Sequence, residues 1–186
     1  MEALVTSFVA ALLAGWSDKT QSVTAMLAET TKRPWLVLAG LFLALAASNI
    51  IASVAGLYIA QAINVRAQTL LLALALLFAG GSGLIRRRPP RPATAKLPLL
   101  TAFILCLASE MGDRTQFITF ALAGRFDSAP FAAAGATAGA LAACLPALVL
   151  GEKLQTAVPM RAIRYVCAIL FLLVGFIAAV QALQLT

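Results

Sequence analysis

The chain is predicted to be all-α: a polytopic membrane protein of six transmembrane helices, arranged as two inverted three-helix repeats. Three observations predict this. Apolar residues make up 62% of the 186 positions and charged residues only 11%, too little polar surface to clothe a soluble globule. Six apolar segments, at about 3–27, 35–60, 67–85, 97–123, 130–150 and 163–184, approach or exceed the roughly 20 residues a helix needs to cross hydrocarbon. The phrase Asp18-Lys19-Thr20-Gln21 returns as Asp113-Arg114-Thr115-Gln116, each copy inside an apolar segment.

Segment length, and the lack of short alternating runs, select helices over barrel strands. Glu29-Thr30-Thr31-Lys32-Arg33-Pro34 ends the first span. A short polar link from Gln61 to Gln68 joins the second span to the third. Residues 86–96, rich in arginine and carrying three prolines, form the longest connector. Arg125-Phe126-Asp127-Ser128 ends the fourth span and Glu152 to Arg161 follows the fifth. The expected organisation is a first repeat at 1–85, a cytoplasmic connector at 86–96 and a second repeat at 97–186, making one membrane domain. The N-terminus lacks the basic start of a cleaved signal peptide, so Met1-Glu2 is read as mature protein.

The repeat extends well beyond the motif. A shift of 95 residues superposes Asp18 on Asp113, Gln21 on Gln116 and Thr24 on Thr119, then Gly40 on Gly135, Gly56 on Gly151, Arg66 on Arg161 and Gly80 on Gly175. Apolar segments match by chance; Asp, Gln, Gly and Arg do not do so in one register. A unit of three spans is odd, so its second copy must cross in the opposite sense. This is a common transporter plan, with its site at the repeat interface. The first and fourth spans would then bring Asp18 and Asp113 towards each other.

Lys32, Arg33, Arg86, Arg87, Arg88, Arg91, Lys96, Lys153, Arg161 and Arg164 fall on one side of this plan, and only Arg66 and Arg125 on the other. The positive-inside rule makes the first side cytoplasmic and places both termini outside. The net charge of +7 is therefore a topology signal rather than a nucleic-acid footprint. Cys106, Cys144 and Cys167 form no disulfide or zinc pattern and read as small buried hydrophobes. Histidine is absent from the sequence, so a proton carrier must be a carboxylate. With no nucleophile–base pair and no phosphate loop, the chain is not expected to be an enzyme, and no cofactor is expected.

Ionisable groups within a span are costly and mark substrate or ion paths. On a continuous helix Glu110, Asp113 and Gln116 share a face, with Thr119 one step further, and Asp18, Gln21 and Thr24 form the equivalent stripe. These are carboxylate, amide and hydroxyl oxygens, a set suited to Ca²⁺, Mg²⁺ or Mn²⁺. The expected metal ligands are Asp18, Gln21, Glu110, Asp113 and Gln116, supported by Ser17, Lys19, Thr20, Thr24, Gly112, Arg114, Thr115 and Thr119. Gly112 could permit a local break that frees a carbonyl. Thr hydroxyls often simply bond their own helix backbone. Lys19 and Arg114 read either as structural partners of buried carboxylates or as mobile counter-charges that occupy them when metal leaves. A divalent cation favours ionised carboxylates, so metal and protons compete for the same oxygens, which is the core of antiport.

In the second and fifth spans small residues fall every fourth position: Gly40, Ala44, Ser48, Ala52 and Gly56, then Gly135, Gly139, Ala143, Ala147 and Gly151. Such a face lets another backbone approach closely, either as tight packing or as a sliding surface.

Glu110-Met111-Gly112-Asp113-Arg114-Thr115 resembles the Glu-x-Gly-Asp-(Lys/Arg)-(Thr/Ser) signature of the Gdt1 family, also called uncharacterised protein family 0016. The resemblance spans essentially the whole chain. In the first copy Gly15 stands where the signature has Glu, and Ser17 where it has Gly; Asp18, Lys19 and Thr20 carry over. The resemblance implies a cation/proton antiporter that moves Mn²⁺, Ca²⁺ or both out of the cytosol. For a bacterial member it implies manganese export across the inner membrane. The expected partners are the divalent ion, protons and the lipid bilayer, with no nucleic acid. The alternatives are a Ca²⁺/H⁺ antiporter of the same architecture, a passive cation pore, or a non-transporting membrane component.

Overall fold

The computed structural model describes residues 1–16, 18–31, 33–85, 97–154 and 158–183, apart from the side chain of Glu152. Ser17, Lys32 and the connector 86–96 lie outside the described residues. Among those described are eight α-helices: α1 (Glu2–Gly15), α2 (Lys19–Thr31), α3 (Pro34–Gln61), α4 (Val65–Leu84), α5 (Pro98–Glu110), α6 (Arg114–Arg125), α7 (Ala129–Leu150) and α8 (Met160–Leu183). A 3-10 turn occupies Gly151–Lys153, and the described residues contain no strand. Helix starts follow local chemistry. Pro34 and Pro98 open α3 and α5 where a missing N–H costs nothing. The Asn64 side chain caps α4 by accepting from the Ala67 N–H at 2.8 Å.

Four helices, α3, α4, α7 and α8, are long and apolar enough to cross a membrane. The expectation of continuous helices over 3–27 and 97–123 is corrected. Each of these segments is two half-length helices interrupted at the motif: α1 ends at Gly15 and α2 starts at Lys19, and α5 and α6 are separated by residues 111–113. The backbone explains the second break. Gly112 takes φ +71°, Met111 is extended, and Asp113 is extended as the N-cap of α6. At the first break Trp16 is extended after α1.

Contacts fix how the helices run. Along α7, Gly135 lies against the Leu4 carbonyl and Gly139 against the Phe8 carbonyl. Further on, Ala143 meets Gly15 and Gln21, Ala147 clusters with Ala25, and Gly151 lies against Glu29. The contacts advance in the same sense on both sides, so α1 and then α2 track α7 in parallel. Similarly α5 and α6 track α3: Gly40 lies against the Leu99 carbonyl, Asn49 meets Thr119, and Gly56 lies against the Phe120 carbonyl. By contrast α4 and α8 run antiparallel, with Gly83 against Ala168, Gly80 against Leu172 and Gly175 against Leu76 and Leu77. The small-residue faces therefore serve close backbone approach, as expected.

The interior combines an apolar core with a set of buried polar and charged side chains, while large apolar side chains face outward. Asp18, Thr20, Gln21, Asn49, Ser109, Glu110, Asp113, Arg114 and Thr115 are buried, while Ile50, Ile51, Val54, Val166, Ile169, Leu173, Phe176 and Ile177 are exposed on α3 and α8. In water these outer faces would be an aggregation hazard. In lipid they are the solvated surface of an integral membrane protein.

Candidate functional site

Two breaks meet at the centre. An interrupted helix leaves carbonyls unpaired at the end of its first half and N–H groups at the start of its second. Both breaks place such groups beside carboxylates. Glu110 ends α5, Asp113 caps α6, and Asp18 immediately precedes α2. The expected shared face of Glu110, Asp113 and Gln116 is therefore corrected: the break at 111–113 intervenes, and Glu110 and Asp113 belong to different helices.

The ion pairs cross from one motif to the other. Lys19 Nζ lies 3.6 Å from Asp113 Oδ1, and Arg114 Nη2 lies 3.5 Å from Asp18 Oδ1. Each cation also reaches a backbone oxygen at the opposite break: Lys19 donates to the Ser109 carbonyl at 3.4 Å and Arg114 to the Trp16 carbonyl at 3.4 Å. Thr20 Oγ1 donates to Glu110 Oε1 at 2.6 Å and lies 2.9 Å from Ser109 Oγ. Asp18, Lys19, Asp113 and Arg114 line one cavity of about 30 Å³ with Ser82, Gly83 and Ile85 of the α4 end and Arg164 of α8.

The other sequence-predicted residues divide. Gln21 is buried, but its Nε2 donates to the Ala143 carbonyl at 2.7 Å, fastening α2 to α7. Gln116 Oε1 accepts from the Gly112 N–H at 2.8 Å and braces the break. Thr24 donates to the Thr20 carbonyl at 2.8 Å. Thr119 donates to the Thr115 carbonyl at 2.9 Å and also to Asn49 Oδ1 at 3.1 Å. Thr115 itself is buried. Ser17 falls outside the described residues. Among the described residues no three Asp, Glu, Cys or His side chains are grouped as a ready-made metal centre.

Sequence reasoning missed Ser109, Asn49 and Arg164. Ser109 precedes Glu110 in an apolar run, and its carbonyl and hydroxyl both enter the network. Asn49 is an amide within the long apolar α3 and joins Thr119 to Thr137, donating to Thr137 Oγ1 at 3.3 Å. A lone buried amide in a span is a signal in itself. Arg164 was counted only as a topology charge, yet it lines the cavity. The breaks also had a signature. Asp-x-x-Gln resembles the helix-start pattern in which the third helical residue reaches back to the cap residue's N–H; here Gln116 reaches the Gly112 N–H, one residue before the cap.

The family model described as "Divalent cation/proton antiporter GDT1" matches residues 3–89 and 98–186. A Vibrio cholerae serotype O1 protein named "Putative manganese exporter" is 29% identical over 182 residues, covering 96% of this chain and 91% of that protein. No solved structure matches the chain. Matched across both halves, with its motifs at the two helix breaks, the chain belongs to the GDT1 divalent cation/proton antiporter family.

Proposed function

We propose that the protein exports divalent cations, Mn²⁺ foremost, from the cytoplasm in exchange for protons, through a site shared by the two broken helices. One observation carries the reading: two motifs 95 residues apart bring Asp18, Asp113 and Glu110 into one buried network at two helix breaks. Carboxylates and freed carbonyls are the oxygens that hard divalent ions take. Broken helices at a repeat interface are a recurrent transporter device. The Vibrio cholerae relative's name supports manganese as cargo.

The architecture we infer is six crossings in two inverted units, 1–85 and 97–186, joined by the connector. The antiparallel α4 and α8 support it, as does the tracking of each broken helix along the long helix of the other half. The basic-residue split supports a bacterial inner-membrane protein with both termini outside. The cavity lies at the last turn of α4 and the first turns of α8, on the basic side, which supports loading from the cytoplasm. Asp18, Asp113 and Glu110 bind metal when ionised, and Glu110 takes up the exchanged proton when metal leaves. Gln21 and Gln116 hold the two breaks in shape.

The test is Mn²⁺ and Ca²⁺ uptake by proteoliposomes of known orientation, with and without a pH gradient. Uptake driven by a proton gradient is the expected result. Flux indifferent to the gradient would turn the reading to a passive pore. Ca²⁺ preferred over Mn²⁺ would change the cargo but keep the mechanism.

A further inference from the structure

We propose that Lys19 and Arg114 are tethered occupants of the transport site: they hold the oxygens a divalent cation needs and give them up when it binds. The proposal rests on the exporter reading above and adds what fills the site between cargoes.

The geometry is reciprocal. Each cation leaves its own motif and crosses to the other break. There it takes one carboxylate oxygen and one carbonyl oxygen: Asp113 Oδ1 and the Ser109 carbonyl for Lys19, Asp18 Oδ1 and the Trp16 carbonyl for Arg114. A carboxylate beside a carbonyl is a hard-cation ligand set, not merely an ion-pair partner. Metal–oxygen bonds of about 2.0–2.6 Å leave no room for an ammonium or guanidinium head at the same oxygens.

The charge balance fits this reading. One Lys and one Arg withdraw as one divalent ion arrives, so the site's charge is the same before and after. The buried aspartates are thus never left uncompensated, which would be costly.

The experiment measures Mn²⁺ binding to the purified full-length protein at fixed pH, using MnCl₂ alone and the loss of the free-ion electron paramagnetic resonance signal. Lys19→Gln and Arg114→Gln should each tighten binding by about tenfold, the change that about 1.4 kcal/mol brings. Both should also slow Mn²⁺ turnover in proteoliposomes. The charge-keeping Lys19→Arg and Arg114→Lys should stay within about threefold of the parent affinity. Weaker or unchanged binding in folded Gln variants overturns the proposal, since a purely structural cation leaves a damaged site when removed. If Arg114→Gln does not fold, Lys19→Gln decides alone, its side chain being 19% exposed against 7% for Arg114. A parent protein that binds neither Mn²⁺ nor Ca²⁺ would instead overturn the exporter reading itself, independently of the variants.

Discussion

Arg114 Nη2 lies 3.5 Å from Asp18 Oδ1, although the two residues belong to opposite copies of the repeated motif. Lys19 and Asp113 mirror the pair at 3.6 Å. Neither motif is complete alone: the carboxylate of each is paired with the cation of the other. The two breaks are thereby tied into one electrostatic unit.

Loss of either central acid should stop transport. Asp113→Asn and Glu110→Gln each remove an ionisable carboxyl from the buried network and are expected to reduce Mn²⁺ flux in inside-out vesicles to background, with protein still present in the membrane. Near-normal flux by both would place the site elsewhere.

Restoring the missing acid by Gly15→Glu meets a packing obstacle. A Cβ at Gly15 would sit 2.7 Å from the Ala143 Cβ, where α1 lies on α7. Such overpacking typically costs about 1–3 kcal/mol, so Gly15→Glu alone should lower the thermal unfolding temperature in detergent. Ala143→Gly in the same chain should recover most of that loss. Only in the double variant is a change in metal affinity a clean report on position 15.

The close-approach glycines should be intolerant in a patterned way. Cβ atoms at Gly56 and Gly139 would overlap the carbonyls of Phe120 and Phe8, so Gly56→Val and Gly139→Val are expected to abolish accumulation of folded protein. Gly81 has open space around its Cβ position. There Gly→Ala should be neutral or stabilising by about 0.5–1 kcal/mol, the usual helix-interior difference. Fluorescence-detected gel filtration of the three variants checks the pattern.

Gly112 takes φ +71° at the second break. An alanine there costs about 1–2 kcal/mol in the left-handed region. Gly112→Ala should lower transport more than Gly112→Asn, because Asn tolerates that conformation better. Gln116→Leu should share the defect, since it removes the acceptor of the Gly112 N–H. Initial Mn²⁺ flux at matched protein levels is the measurement.

Asn49 links α3 to α6 and α7 through Thr119 and Thr137. Asn49→Leu removes the donor to Thr137 Oγ1 and one of the two acceptors of the Thr119 hydroxyl, a loss of about 1–3 kcal/mol. Chemical unfolding of the purified protein should register it. Thr137→Val, which removes only the outer partner, should cost less.

The apolar character of the chain and the pairing of its two motifs were legible because both are written in residue type and register. The spacing of Gly135 and Gly139, or of Gly40 and Gly56, announced close helix approach for the same reason. The breaks were harder to see. Residues 3–27 and 97–123 are apolar enough to suggest unbroken helices, and Gly112 within them is weak punctuation. Asp-x-x-Gln did mark a helix start, but a buried aspartate reads first as a ligand. Partner choice was beyond pattern altogether. Lys19 and Asp18 are neighbours in sequence, yet Lys19 serves Asp113 and Arg114 serves Asp18. Arg164 reaches the cavity, and Asn49 the interior, through helix packing that no one-dimensional period encodes.

The tracking of α1–α2 along α7, and of α5–α6 along α3, has a consequence for how the chain matures. Each interrupted helix finds its cradle in the other half of the polypeptide. Residues 1–85 on their own would carry a cradle without its rider and a rider without its cradle. A ribosome that has released only the first half has therefore not yet made the long helix along which its own interrupted helix lies. Cleavage within 86–96, with the two pieces expressed together, should still give one assembled particle. Either piece alone should be degraded.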